Sequence, residues 1–220
     1  SYHRIQVFRA SQKIINVQYL LRETLYSSYL CGKINCCYLR FLMLFKDVIG
    51  QHAVKQHLTE MVEQNRLSHA LLFLGKEGSG ALPLALAFAQ FVVCQPAEAP
   101  VVEDLFGGMS ALTSGPKFIH PDHLEQVESY QKANQLVHPD LHFSFPVITK
   151  KAGEKPTSSD YISDWREFVK QFPYGNAYDW LQMIGAENKQ GNITAEECND
   201  IMRKLSLKSF EAGHKILLLW

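Results

Sequence analysis

The chain has 220 residues, 46% hydrophobic and 20% charged, with a formal net charge of zero. That length suffices for one or two domains with a sizeable core, and the charge balance excludes a globally basic nucleic-acid binder. Five cysteines fit a reducing, cytoplasmic setting, and no apolar run approaches the ~18 residues of a membrane span.

Residues 1–42 differ from the rest of the chain. They hold six basic residues (Arg4, Arg9, Lys13, Arg22, Lys33 and Arg40), a single acid, Glu23, and three of the cysteines. No clean hydrophobic period runs through them. Met43 then opens the well-patterned Met-Leu-Phe-Lys-Asp-Val-Ile-Gly-Gln. We expect residues 1–42 to be an extension outside the main domain, read in frame upstream of a native start at Met43. A transit peptide, a basic arm for DNA, and an extra helix carrying Val17, Leu20, Leu21, Leu25 and Tyr29 on one face are the competing readings.

Beyond Met43, strands and helices alternate. Gln51–Arg66 reads as an amphipathic helix with Val54, Leu58, Met61 and Val62 on its apolar face. Ala70–Leu74 reads as a short buried parallel strand. The next helix carries Pro83 near its first turn, where a missing N–H costs nothing, and buries Leu84, Ala87, Phe88, Phe91 and Val92. Residues 95–137 read as a loop insert, with a helix over Leu124–Leu136. Leu141–Ile148 alternates as a strand with Leu141, Phe143, Phe145 and Val147 on one side. Asp160–Phe172 reads as a helix, with Tyr161, Trp165, Phe168 and Phe172 on one face. Thr194 and Glu197 form a capping box, with Ile193 as a staple onto Cys198 and with Cys198, Ile201, Met202 and Leu205 as the buried face. His214–Trp220 begins another buried strand. The alternation predicts an α/β fold with a parallel sheet.

The segment with most chemical content is Ala70-Leu-Leu-Phe-Leu-Gly-Lys-Glu-Gly-Ser-Gly-Ala-Leu82. It has the strand–glycine turn–helix layout of a phosphate-binding loop, G-x-x-x-x-G-K-[ST], with Gly75 and Gly80 at the required spacing. Glycines let backbone N–H groups approach phosphate oxygens. Ala81 stands where the lysine should neutralise the phosphates, and Leu82 where a hydroxyl should hold magnesium. Lys76 lies at the wrong end of the loop to substitute. A glycine-rich turn with no ligand is the alternative. Glu196-Glu197 and Asp160/Asp164 read as helix caps and solvated faces rather than acid/base pairs.

Phe45-Lys-Asp-Val-Ile-Gly-Gln51, Arg66-Leu-Ser-His-Ala-Leu-Leu-Phe73, the glycine loop, His138-Pro-Asp-Leu-His-Phe143, Gly191-Asn-Ile-Thr194 and Lys215-Ile-Leu-Leu218 occur in that order. Together they resemble the clamp-loader branch of the AAA+ ATPases, and within it the delta prime type of bacterial DNA polymerase III subunit, over residues 43–220. The resemblance implies a P-loop NTPase fold: a parallel three-layer sheet, here incomplete at the C-terminus. It implies a non-catalytic role in DNA replication, helping to load the sliding clamp onto primed DNA alongside other clamp-loader subunits. It places Val48 and Ile49 near the adenine position and Gly75, Gly78 and Gly80 near the phosphates of a vestigial ATP site, with no cofactor retained and no membrane partner. The family often carries a four-cysteine zinc module. Here Cys94 stands at the first ligand position without the others, and a mixed site from Cys94, His120, His123 and His138 is disfavoured by Pro121 and the loose spacing.

The resemblance also implies that the Walker B acids, the strand between the 70–74 and 215–219 strands, the donated arginine and the collar domain would lie beyond Trp220. On that basis residues 43–220 are not expected to fold cooperatively, for want of a central strand. An active AAA+ motor subunit, a nucleic-acid-binding α/β module using the basic arm, and an unrelated α/β fragment are the alternative functions.

Overall fold

The computed structural model describes residues 2–9, 16–20, 43–96, 118–149, 153–186 and 189–220. Among the described residues five strands form one sheet: β1 (Tyr2–Arg9), β2 (Asn16–Leu20), β3 (Ala70–Lys76), β4 (Leu141–Ser144) and β5 (Ile216–Leu219), in the order β2-β3-β1-β5-β4. β2 runs parallel to β3, and β4 parallel to β5. β1 runs antiparallel to both of its neighbours, pairing Tyr2 to Phe8 with Lys76 to Ala70 on one side and Gln6 to Arg9 with Leu219 to Ile216 on the other. The expected all-parallel sheet is therefore mixed. The slot between β3 and β5, for which the sequence offered no strand, is taken by Tyr2–Arg9. Asn16–Leu20 is a strand and not the start of a helix; Leu21, Leu25 and Tyr29 lie outside the described residues.

The helices are α1 (His52–Glu63), α2 (Ala81–Val93), α3 (Glu128–Asn134), α4 (Ile162–Gln171), α5 (Ala177–Met183) and α6 (Ala195–Ser206). α2 is the central one. It has no charged residue and, Gln90 apart, no polar side chain, and all of its residues are buried, as expected of a helix that is apolar nearly all round. It lies on the sheet, where Phe73 of β3 meets Phe88 at 6.0 Å between ring centroids. Pro83 sits in the first turn, and the intrahelical ladder begins at Leu84 N–H to Gly80 O, 3.1 Å. The same core extends to Trp165 of α4, which stacks on Phe145 at 4.4 Å and meets Trp180 of α5 edge-on at 5.5 Å and Trp220 at 5.0 Å. Trp180 is held in turn by its indole N–H donating to Pro146 O at 2.7 Å.

Several elements differ from their sequence patterns for identifiable reasons. The 141–148 strand stops at Ser144, because Pro146 has no N–H to give the ladder; Val147 instead forms an isolated antiparallel bridge with Asn192. The 124–136 helix is split by extended backbone at Val127 into a 3-10 turn, Pro121–Gln126, and α3. The 160–172 helix starts as a 3-10 turn, Ser158–Tyr161, under a Thr157–Asp160 capping box, and Phe172 lies past its end, 45% exposed.

α6 departs most. Thr194 Oγ1 accepts from Glu197 N–H at 3.1 Å as expected, but the Glu197 carboxylate turns away and accepts from Ser158 N–H at 2.7 Å. Cys198 is exposed and Met202 is 71% exposed, and Glu197 is the buried residue of the helix. Of the predicted apolar face, Ile201 and Leu205 are half-buried and Cys198 and Met202 point outward; polar ties orient α6: Thr194 Oγ1 donates to Pro156 O at 3.1 Å, Lys204 Nζ to Ser159 Oγ at 2.9 Å, and Lys215 Nζ to Lys204 O at 3.1 Å.

His138-Pro139-Asp140 is an anchor at the sheet edge. The Asp140 carboxylate, fully buried, accepts from the N–H groups of Phe210, Glu211 and Ala212 at 2.7, 2.8 and 2.9 Å. It thereby fixes the turn that feeds β5. His138 Nδ1 accepts from Asp140 N–H at 3.1 Å, which leaves the ring proton of neutral His138 on Nε2.

Candidate nucleotide-binding loop

β3 delivers the chain to the glycine turn and α2 receives it. Gly75 is buried inside β3 and does not bend the turn. The bend falls at Gly78 and Gly80, with φ of +73° and +88°, a region that side chains with a Cβ rarely enter. Gly80 caps α2 in this conformation. The turn is closed by Ser79 N–H donating to Lys76 O at 3.0 Å.

The Asp47–Gln51 segment packs beside this loop. Gly50 and Gln51 both have positive φ, +67° and +57°, turning the chain into α1. Gln51 Nε2 donates to Ser79 O at 3.3 Å. Asp47 Oδ2 accepts from Leu44 N–H at 2.9 Å. Lys55 Nζ donates to Val48 O, and burial pulls its ammonium pKa below the usual lysine value, against the opposing charge of Asp47. Val48 is buried, with Cγ1 3.9 Å from the point where a Cβ on Gly80 would stand. Ile49 turns its side chain to solvent, 74% exposed.

The structure thus gathers Val48, Ile49, Gly78 and Gly80 around one turn and leaves Gly75 in the strand below it. The first two side chains of α2, Ala81 and Leu82, are 6% and 4% exposed. Both are buried apolar groups, and neither supplies a cation or a hydroxyl at the start of α2.

A contributor without a sequence signal is Tyr174, on the turn between α4 and α5. Its hydroxyl accepts from Ile49 N–H at 2.9 Å, and its Cε1 lies 3.2 Å from the Cβ position of Gly80. Nearby, Asn176 Nδ2 contacts Glu77 Oε2 at 3.5 Å.

The His120 and His123 rings lie 6.3 Å apart, but among the described residues no group of three or more His, Cys, Asp or Glu is placed to hold a metal ion. Cys94 is buried and burial pushes its thiol up to about 11. His120 Nδ1 lies 3.2 Å from its neighbour Asp122. Among the described residues no helix is long and apolar enough to cross a membrane.

Residues 50–104, which span α1, β3, the glycine turn and α2, match the family described as DNA polymerase III, delta subunit. The tau subunit of DNA polymerase III from Bacillus subtilis (strain 168) is 41% identical over 59 residues, which is 27% of this chain and 10% of that protein. The chain therefore spans a small part of the relative it matches. No solved structure matches. Both likenesses support the clamp-loader-type family of DNA polymerase III subunits without separating delta prime from its relatives.

Proposed function

We propose that the chain acts in DNA replication as a non-catalytic, delta prime-like subunit of a clamp loader. The observation that carries this is the start of α2: the glycine turn is built, but Ala81 and Leu82 occupy the two positions that phosphate and magnesium chemistry require. The family match and the tau relative support the replication setting. On this reading Val48, Ile49, Gly75, Gly78 and Gly80 are the remains of a nucleotide site. Residues 43–220 are part of an AAA+ domain, and residues 1–42 are an addition that lends two strands to its sheet. The partners are other clamp-loader subunits and, through them, the sliding clamp and primed DNA.

The test has two measurements on the purified chain. It should turn over Mg-ATP at no more than the background rate, and it should co-purify with an ATP-hydrolysing clamp-loader subunit. Turnover above background that falls on changing Lys76 or Ser79 would instead identify an active motor subunit.

A further inference from the structure

We propose that Tyr174 is a built-in plug of the degenerate phosphate loop, its ring filling the space over Gly80 and its hydroxyl occupying the Ile49 N–H, so that a nucleoside diphosphate is excluded while the loop stays held against this ring. The inference rests on the reading of residues 75–82 as a former nucleotide site.

Three observations converge. First, the contact spans both halves of the site. Ile49 N–H donates to the Tyr174 hydroxyl at 2.9 Å, and the ring edge stands 3.2 Å from the Cβ position of Gly80. A glycine is needed at residue 80 for its φ of +88° and also because any side chain there would press on that ring. Second, the turn that presents Tyr174 is tied down by hydrogen bonds and close packing. Gly175 N–H donates to Phe172 O at 2.9 Å. A Cβ on Gly175 would meet Phe168 Cζ at 2.8 Å and Phe172 Cβ at 2.9 Å. Asn176 then caps α5 reciprocally with Asp179, at 2.9 and 3.0 Å, and α5 is nailed down by the fully buried Trp180. Third, the tie at the far end is light. The Ile49 bond is exposed and neutral, and the Asn176–Glu77 contact is long. The plug is therefore anchored firmly on the α4–α5 side and reversibly on the loop side.

The plug accounts for something the missing lysine does not. A loop without its lysine still offers backbone N–H groups to an anion. A tyrosine ring over Gly80 closes off that approach, and its hydroxyl satisfies the backbone donor at Ile49, which otherwise faces solvent.

The experiment compares the full chain with Tyr174→Phe and Tyr174→Ala, using amide hydrogen exchange and calorimetric titration with ADP. Tyr174→Phe keeps the ring and removes the hydroxyl, so it controls for folding, and its melting temperature should stay close to that of the parent. We expect the Ile49 amide to exchange about tenfold faster in both variants, the value of one neutral hydrogen bond. ADP should bind Tyr174→Ala at least about tenfold more tightly than the parent chain, since the donor and the space are both released. An unchanged Ile49 exchange rate would overturn the contact. Equal ADP binding by the parent and Tyr174→Ala, including none in either, would overturn the exclusion. Failure of the parent chain to associate with a clamp-loader motor subunit would count against the proposed function and leave the Tyr174 result standing.

Discussion

Replacing Asp140 by alanine removes an acceptor that three consecutive backbone donors share. The N–H groups of Phe210, Glu211 and Ala212 point at its two oxygens from 2.7 to 2.9 Å. Hydrogen bonds to a charged group are worth about 1.5–3 kcal/mol each, and a buried donor left unpaired costs about 1–3 kcal/mol. Phe210 and Glu211 sit at the surface, so water recovers part of their loss; Ala212 is 5% exposed and its N–H recovers little. The net expectation is a destabilisation of about 3–5 kcal/mol, a large share of the stability of a small domain. Asp140→Asn, which keeps one oxygen for two of the donors, should cost about 2 kcal/mol.

The pH dependence sharpens the test. Burial pushes the Asp140 carboxyl up, but the three backbone donors and nearby His138 outweigh it and hold the group below its ordinary value of 3.8. A carboxyl depressed in the folded state stabilises fully above its unfolded pKa and loses that contribution as pH falls through the folded one. Urea denaturation at neutral pH and at about pH 3 should therefore show the gap between the parent and Asp140→Ala narrowing with acid. A gap below about 0.5 kcal/mol at neutral pH, or one that widens on acidification, would refute the anchoring role.

Two further outcomes are expected from the same structure. Trp165→Ala removes the ring that Phe145, Phe168, Trp180 and Trp220 all touch, and thermal or denaturant melts should show a loss of about 3–5 kcal/mol. His142 is pushed down to about 4 by burial and by Lys204 and Lys215, against Asp140 and Asp200. It is neutral in the folded state and charges on unfolding, so stability should fall as pH drops from about 6.5 towards 4, and His142→Gln should flatten that limb of the stability-pH curve.

Much of the site was legible because local chemistry dictates it. The apolar run at Ala70–Leu74, the glycines and the uncharged helix after them specify strand, turn and helix with little help from the rest of the chain. Gly75 was placed in the turn because spacing alone does not say where a strand ends; pairing with β1 carries β3 on to Lys76. α5 was missed although Asn176-x-x-Asp179 offers a reciprocal cap. The face of α6 is covered only in part, at Ile201 and Leu205, because periodicity reports which side is apolar, whereas the polar ties of Thr194, Glu197 and Lys204 decide which side is covered. Tyr174 had no signal. Pro173 and Gly175 mark a turn, but its contact with Ile49 lies 125 residues away in sequence and is purely tertiary.

The position of β1 has a consequence for how the sheet assembles. The middle strand comes from residues 2–9, while one neighbour lies at Ala70–Lys76 and the other at Ile216–Leu219. Both pairings close long loops, and the second joins residues about 200 positions apart, so the loop-closure entropy must be overcome before the contacts repay it. β1 precedes both partners in the chain: one of its edges can pair once β3 has been made, whereas the other stays open until β5 exists. The sheet is therefore slow to close from its centre, and the interval before closure is when its strands are open to pairing with other chains.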